Sequence, residues 1–202
     1  MAKTNGLFGK VSGKVAQLVF ATWKGIEYVR LYVIPANPNT AAQQLVRLKF
    51  IGAVRFAKSI LGSVLQPFVD PFLKAVSAYA HQVGRCMTAW AAGIDWQAFF
   101  ITEGTLESTP ITGATLAGTD VTITWDSTVL GNGAPTDVAG AVVYDIVNGV
   151  SFFNATATRT DGTVAVAVGA GRVAANLKAY LFFTDDATAP TVTSNSAALA
   201  VT

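Results

Sequence analysis

Few side chains in this 202-residue chain are suited to covalent chemistry. His81 is the only histidine and Cys86 the only cysteine, so a Ser-His-Asp or Cys-His arrangement would have to use one of them. Both fall within a predicted helix, and no G-x-S-x-G or similar nucleophile motif surrounds them. We therefore expect His81 to be a structural or surface residue and Cys86 a small buried one.

The carboxylates do not form a recognisable metal motif. Asp185 and Asp186 are adjacent, but neighbouring residues of a strand point to opposite faces, so we expect a solvated loop there. Oxygen ligands from these two and Asp161 or Asp137 would suit calcium, yet no D-x-D-x-D-G spacing supports such a site. One cysteine leaves no internal disulfide and no zinc cluster, and GKVSGK at residues 9–14 is not a phosphate-binding fingerprint. We expect no catalytic residue, cofactor or metal, hence no enzyme.

Composition indicates a protein that buries surface in an assembly. Charged residues are 13% of the chain, hydrophobic residues 51%, and the mean hydropathy is +0.44, whereas an average soluble domain has about 25% charged residues. Other subunits should therefore cover much of the surface. Charges and prolines interrupt every apolar run before it reaches 18 residues, so we expect no transmembrane helix, and the N-terminus lacks the apolar core of a secretory signal.

Charge is distributed unevenly between the two halves of the chain. Residues 1–104 carry 11 Lys/Arg and 4 Asp/Glu, a net charge of +7, whereas residues 105–202 carry 3 and 8, a net charge of −5. Opposite charge fits head-to-tail packing of copies, with the basic half on the acidic half. It fits equally well two unrelated domains that make no such contact.

The N-terminal stretch predicts a β-hairpin followed by a Pro-Asn hinge. Residues 11–22 favour a strand despite imperfect alternation, Trp23-Lys24-Gly25 favours a turn, and residues 26–34 alternate more regularly. An isolated two-stranded hairpin is marginal in water. The hairpin therefore needs a partner, either the rest of its own domain or a neighbouring subunit.

Two helices are predicted after the hinge. Thr40 is a good N-cap for a helix over residues 41–61, and Asp70-Pro71 precedes a second helix over residues 71–92. In the first helix Arg47, Arg55 and Lys58 lie close to one face, which is either solvated or able to meet nucleic acid or an acidic partner.

Aromatic and basic residues are interleaved around the predicted hairpin turn. Trp23, Lys24, Tyr28, Arg30 and Tyr32 combine cations with aromatic rings, as stacking platforms for single-stranded nucleic acid do. Neighbouring Glu27 and the aliphatic content weaken that interpretation, and a charge of +7 over 104 residues is modest for a dedicated binder. With the three helix cations, these residues form our set of candidate contacts for assembly or nucleic acid.

The second half of the chain has the pattern of an antiparallel sandwich. Residues 104–110 form the best linker candidate, so we expect domains at residues 1–104 and 105–202. Short apolar strands separated by Gly and Asn turns are predicted at residues 111–116, 120–125, 139–146, 151–158, 163–168, 177–184 and 196–201. The predicted class is α+β: a hairpin arm and two main helices, then an immunoglobulin-like sandwich without a Cys-Trp-Cys pattern.

Several motifs along the chain carry a resemblance. The N-terminal pattern GK-x-x-GK-V, TWKGIEYVR and NPNT-x-x-Q is followed by a further set in the sandwich, which comprises Trp125, Asp137, Val142-Val143-Tyr144, Arg159-Thr160-Asp161-Gly162 and Tyr180-Leu181-Phe182-Phe183. This combination resembles a family of unknown biochemical activity that is encoded in tailed bacteriophages and bacterial genomes. The resemblance covers most of the chain, except residues 62–104, and implies a phage or prophage structural setting.

The sequence therefore predicts a non-enzymatic structural component of a tailed-phage virion, assembled in the bacterial host cytoplasm. Its partners would be copies of itself and other virion structural proteins, in the tail or tube, in the connector, or as capsid decoration. The N-terminal hairpin and basic helix would make the contacts. The alternatives are a surface- or carbohydrate-binding module and an internal DNA-associated virion protein, which a steep salt dependence of DNA binding would support.

Overall fold

The structure, a computed structural model, describes residues 2–3, 12–34, 36–37, 39–89 and 93–202. The chain divides into two compact units, Met1–Ala41 and Ala42–Thr202. The domain boundary after residue 104, which the change of composition favours, lies within the second unit.

The first unit is a four-stranded antiparallel sheet. Its strands are β1 (Ala2–Lys3), β2 (Gly13–Val15), β3 (Leu18–Trp23) and β4 (Ile26–Leu31), in the order β1-β4-β3-β2. β3 and β4 form the predicted hairpin, with Trp23 opposite Ile26 across the two-residue turn Lys24-Gly25. The positive φ angles of 49° and 79° at the two turn residues are those of a type I′ turn, whose twist matches the flanking strands.

The predicted strand at residues 11–22, whose first residue lies outside the described part of the chain, is wrong because a second turn divides it. Ala16 and Gln17 form this turn, so that β2 folds back on β3 with Val15 opposite Leu18. Ala16 has a positive φ of 50°. The imperfect alternation of this stretch is the sequence signal of the turn. The hairpin is consequently flanked by further strands instead of standing as a two-stranded ribbon.

The second unit begins with a helical segment. Helix α1 (Ala41–Ser59) starts directly after Thr40, as predicted, whereas Pro35 and Pro38 of the predicted hinge lie outside the described residues. A π-helical stretch, the short helix α2 and a 3-10 turn follow α1, at Leu61–Leu65, Gln66–Phe68 and Asp70–Phe72 respectively.

The second main helix is shorter than predicted. α3 spans Ala78–Thr88 instead of residues 71–92, the last of which lies outside the described residues. The predicted cap, Asp70, accepts the backbone N–H of Ala78 at 2.8 Å, and the Ser77 side chain caps the first turn as well. Both satisfy amide groups that have no partner within the helix. Asp70 therefore does cap a helix, but one that starts eight residues later in the chain.

Seven strands follow residue 104, each within two residues of its predicted bounds. They are β5 (Ile111–Ala117), β6 (Asp120–Trp125), β7 (Val138–Asp145), β8 (Val150–Thr158), β9 (Thr163–Ala167), β10 (Leu177–Thr184) and β11 (Ala197–Ala200). They form two antiparallel sheets, in the orders β11-β10-β7-β8 and β5-β6-β9. The mixed α+β class and the N-terminal hairpin are thereby confirmed.

The four-stranded sheet of this unit is buried on both faces. Successive side chains of a strand point to opposite faces, and along β7 and β10 they enter two different cores. One set packs with β6 and β9 of the three-stranded sheet: Ala139, Ala141, Val143, Ala179, Leu181 and Phe183. The other set packs with α1 and α3: Val142, Tyr144, Tyr180 and Phe182. The order of layers is therefore helices, four-stranded sheet and three-stranded sheet.

Phe56 of α1 joins the helices to the sheet. Its side chain is fully buried, and its ring centroid lies 4.8 Å from that of Tyr144 and 5.9 Å from that of Tyr180. Trp96 and Phe99 contact the same ring at 5.4 and 5.6 Å. Such aromatic pairs stabilise a core beyond the effect of area burial alone.

We expect the substitution Phe56→Ala to lower the free energy of unfolding by about 3–5 kcal/mol, because it leaves a cavity between the helices and the sheet. Phe100→Ala is the matched control, since the Phe100 side chain is 44% exposed in the second unit. The control should change stability by less than about 0.5 kcal/mol. Urea unfolding followed by circular dichroism measures both, and equal losses would contradict the layered packing.

Candidate assembly surface

The residues suited to covalent chemistry lie in α3 and serve its packing. Cys86 is fully buried, and burial raises the pKa of its thiol to about 12, so the thiol stays protonated at neutral pH. Burial, and then the neighbouring Arg85, lower the pKa of His81. The Cys86 thiol is therefore not in the thiolate form that nucleophilic attack requires.

The adjacent carboxylates Asp185 and Asp186 lie in an exposed loop after β10, where the sequence predicted a solvated one. Asp185 accepts the backbone N–H groups of Thr191 and Val192 at 2.9 and 3.1 Å, and also the Thr191 hydroxyl. Slight burial acts to raise the pKa of Asp185, but these hydrogen bonds outweigh it and hold the pKa at about 2. Within the described residues, no three or more His, Cys, Asp or Glu side chains are grouped to hold a metal ion.

Residues that carried the resemblance meet in one buried network in the second unit. The Arg159 side chain is fully buried, and its Nε donates to Asp137 Oδ2 at 3.1 Å. Its other nitrogens donate to the Thr109 hydroxyl at 3.2 Å and to the carbonyl of Glu107 at 2.8 Å. Each of the three guanidinium nitrogens thus donates a hydrogen bond, and one of the acceptors is a carboxylate, which offsets the cost of burying the charge.

Two further motif residues complete this network. The indole Nε1 of Trp125 donates to the carbonyl of Arg159 at 2.9 Å, and the Arg159 guanidinium lies 4.1 Å from the centroid of the Phe183 ring. Trp125 and Phe183 also meet edge to face at 5.9 Å. These motif residues therefore bind one another and fix the fold where β6, β8 and β10 end.

The eight predicted contact residues lie elsewhere, in the first sheet and on α1. Residues directly opposite each other in an antiparallel pair share a face of the sheet. Ala21 is opposite Tyr28 and Val19 opposite Arg30, while Trp23 and Lys14 occupy the same face through their own partners, Ile26 and Val19. We call this the cationic–aromatic face; it comprises Lys14, Trp23, Tyr28, Arg30 and Tyr32.

Cations lie over aromatic rings on this face. The Lys14 Nζ is 3.6 Å from the centroid of the Tyr32 ring, and the Nζ of the turn residue Lys24 is 5.1 Å from that of Trp23. The opposite face of the sheet is apolar apart from Thr22 and Glu27, and it carries Val15, Leu18, Phe20, Val29 and Leu31. The structure thus places four of the five predicted hairpin residues on one face, with Lys24 at its edge.

Neither face of the first sheet is buried. No residue between 12 and 34 is classed as buried, and the exposed fractions include 62% for Trp23, 66% for Leu31 and 77% for Ile34. Apolar side chains exposed on both sides of one small sheet are characteristic of a contact surface.

The first half of α1, in the second unit, is also exposed, and sequence reasoning missed this. Five large apolar side chains there are 49–62% exposed: Leu45, Val46, Leu48, Phe50 and Ile51. The buried residues of α1 begin only at Ala53. The available signal was that these five residues surround the helix instead of forming one stripe.

The three helix cations have different surroundings. At 100° per residue Arg47 and Lys58 lie about 20° apart around the helix axis, and both are exposed. Arg55 donates from Nη2 to the carbonyl of Asn148 at 2.8 Å, and its side chain occupies the space that a Cβ at Gly149 would fill. Arg55 therefore fastens α1 to the β7–β8 loop.

We expect Arg159→Lys to lower the free energy of unfolding by about 3 kcal/mol or more, because breaking a buried ion pair is strongly destabilising and a lysine cannot reproduce the guanidinium fork. Arg172→Lys is the matched control; Arg172 is also paired with an aspartate, Asp145, but is only half-buried. Urea unfolding compares the two variants. A loss for Arg159→Lys no larger than for Arg172→Lys would contradict a special role of the buried network.

A second expectation concerns pH. The folded pKa of Asp185 is depressed to about 2 from 3.8, so its stabilising effect is fully present above pH 3.8 and is lost as pH falls through about 2. In Asp185→Asn this effect is absent, so the difference in melting temperature between wild type and variant should be constant above about pH 4 and shrink below it. Melting curves recorded from pH 2 to 6 measure it, and a difference independent of pH would refute the assignment.

In the described part of the chain, no helix has both the length and the apolar character needed to cross a membrane.

Comparison with curated proteins gave no match, and comparison with solved structures gave none either. A family model does match, over residues 10–199, and so spans both compact units. The chain belongs to that family, DUF6266, which is described as a family of unknown function.

Proposed function

We propose that this chain is a non-enzymatic structural component of a tailed-phage virion. It assembles with further copies of itself through the segment from residue 12 to residue 51. The observation that carries the assembly function is the concentration of exposed apolar side chains in that segment. The setting in a tailed-phage virion is supported by the resemblance of the motifs.

The exposed apolar residues are concentrated within a fifth of the chain. The exposed large hydrophobic residues of this segment are Val15, Leu18, Trp23, Ile26, Leu31, Tyr32, Val33, Ile34, Leu45, Val46, Leu48, Phe50 and Ile51. The described residues after residue 51 contribute seven such residues, although they are far more numerous. Burial of such side chains in a contact is favourable, by a free energy of about 25 cal/mol per Å² of apolar area removed from water.

Another copy of the chain is the occupant that we favour for this surface. The first sheet is small and buries none of its described residues between 12 and 34, so contacts from another molecule would supply the burial that such a sheet needs. In a symmetric array each copy offers the same surface again, and many weak contacts then act together. Other virion structural proteins would meet the array at its boundaries, in the tail or tube, in the connector, or on the capsid.

We further propose that the two sheets of the second unit form an immunoglobulin-like sandwich. The strand orders β5-β6-β9 and β11-β10-β7-β8 correspond to A-B-E against G-F-C-C′ when the strands are lettered in chain order. Side chains of both sheets enter a common core, which supports this assignment. The helices on the outer face of the larger sheet are an addition to that architecture.

The alternative of a carbohydrate-binding module has less support. The loops at residues 129–135 and 169–176 contain no tryptophan or tyrosine to stack on a sugar. The DNA-associated alternative is based on the cationic–aromatic face. A steep loss of DNA affinity with rising salt concentration would support it.

We expect the double substitution Leu31→Glu and Ile34→Glu to abolish assembly, because burial of the two charges in an apolar contact is costly. Light scattering coupled to size-exclusion chromatography should show oligomers for wild type, visible as rings, tubes or clusters by negative-stain microscopy, and monomers for the variant. Both side chains are exposed, at 66% and 77%, so the second unit of the monomeric variant should keep its fold, which circular dichroism checks.

The matched control is Val147→Glu with Val173→Glu, which adds the same charge at positions 60% and 59% exposed in the second unit. This control should assemble as wild type does. A wild-type chain that stays monomeric at all accessible concentrations would refute self-assembly through this segment.

A further inference from the structure

The second unit has a strongly acidic end. Strand register places the ends of β6, β8 and β10 beside the starts of β7 and β9: Thr124 is opposite Thr163, and Val138 is opposite both Thr158 and Thr184. Five exposed carboxylates lie at or next to this end: Glu107, Asp126, Asp161, Asp185 and Asp186. We call these five residues the acidic end.

No lysine or arginine in residues 105–202 offsets this charge at the surface. The half contains three basic residues, Arg159, Arg172 and Lys178. Arg159 is buried in its pair with Asp137. Arg172 is paired with Asp145, where β7 ends, and Lys178 lies opposite Tyr144 near the same place. Both therefore lie at the other end of the strands.

Hydrogen bonds keep the carboxylates of the acidic end fixed and charged. Asp126 accepts the N–H and hydroxyl of Thr128 at 2.9 and 2.7 Å, and Asp161 accepts the N–H and hydroxyl of Thr158 at 2.7 and 2.9 Å. These bonds lower the pKa of both carboxyl groups. Asp126 and Asp161 are therefore held in place as carboxylates at this end.

The cationic–aromatic face of the first sheet has the complementary character. It carries Lys14 and Arg30, with Lys24 at its edge, whereas Glu27 lies on the other face, opposite Thr22. Its aromatic members expose large flat areas, 62% for Trp23 and 47% for Tyr32. Cations set among aromatic rings suit a carboxylate-bearing protein surface, because the rings exclude water around the charge pairs.

We infer that the cationic–aromatic face of one copy docks on the acidic end of the next copy. This inference rests on the proposed self-assembly and names its contact surfaces. A second copy is favoured over nucleic acid because the chain itself carries the complementary surface. Since the two surfaces differ, the contact is head-to-tail, and its repetition generates a ring or an open filament rather than a two-fold dimer.

The test uses two full-length variants of opposite charge. The face variant carries Lys14→Glu and Arg30→Glu. The end variant carries Glu107→Lys, Asp126→Asn and Asp186→Asn, where the asparagines retain the side-chain oxygen that accepts the turn hydrogen bonds. The face variant alone brings like charges together. The end variant alone leaves one lysine and two carboxylates, about −1, where wild type has five carboxylates, −5, so each variant should remain monomeric. In an equimolar mixture the unchanged face of the end variant meets the unchanged end of the face variant, and this one complementary contact should give heterodimers by light scattering.

The matched control carries Asp120→Lys, Val147→Lys and Val173→Lys, which changes the net charge as much as the end variant does but at the opposite end of the strands. It should assemble as wild type. The protein concentration at which half of the wild-type chains are assembled should rise about tenfold or more between 0.05 and 0.5 M NaCl, because salt screens exposed charge pairs.

Several outcomes distinguish this inference from the proposed function. If wild type assembles and both charge variants assemble equally well, head-to-tail docking is refuted while self-assembly stands. If wild type never assembles, both fail. If the mixture forms no heterodimer, the inference fails. If a single-stranded oligonucleotide binds wild type and the end variant equally but not the face variant, and assembly ignores both variants, the face serves nucleic acid instead.

Discussion

The second unit depends on a sheet that has no solvent face. Strands β7 and β10 send alternate side chains into two cores, one shared with the three-stranded sheet and one with the helices. Neither layer is optional, because removal of either would expose a row of large apolar side chains to water. Phe56 is the residue that links these layers most directly, since its ring contacts both central strands and the segment after α3.

The buried and the exposed parts of the chain have different tasks. The motif residues Trp125, Asp137 and Arg159 bind one another in the interior, which explains their pattern as a requirement of the fold. The surface that offers contacts lies elsewhere, in the first sheet and the first half of α1. Its cations and aromatic rings share one face through strand register and not through sequence proximity.

Local signals in the sequence predicted much of this architecture. The strands after residue 104 were placed well because each is bounded by turn residues and alternates in polarity, and both are properties of a few neighbouring residues. The hairpin turn at Lys24-Gly25 was predicted for the same reason. By contrast, the turn at Ala16-Gln17 has no glycine or asparagine to mark it. Asp70 caps a helix that begins eight residues later in the chain, and no local rule predicts a cap at that distance.

The larger gap concerned long-range packing. The runs AGAVVY in β7 and AYLFF in β10 are continuously apolar, which is typical of strands buried on both faces, yet the sandwich pattern accounts for one face only. The sequence did contain a candidate partner for the second face, since the end of α1 from Ala53 to Ser59 is apolar on one side. Arg55 reaches the carbonyl of Asn148 only because α1 packs on the sheet. The spacing of residues in the sequence could not predict this hydrogen bond.

The order of the layers along the chain has a consequence for biosynthesis. Phe56 leaves the ribosome long before its partners Tyr144 and Tyr180, because about half of the chain separates them. Contacts of such high sequence separation close slowly, since the entropy of the intervening loop must be lost first. Until β10 has been made, the apolar side of α1 has no sheet to cover it and is open to association with other chains. Completion of the C-terminal half is therefore the step that commits the nascent protein to its native fold.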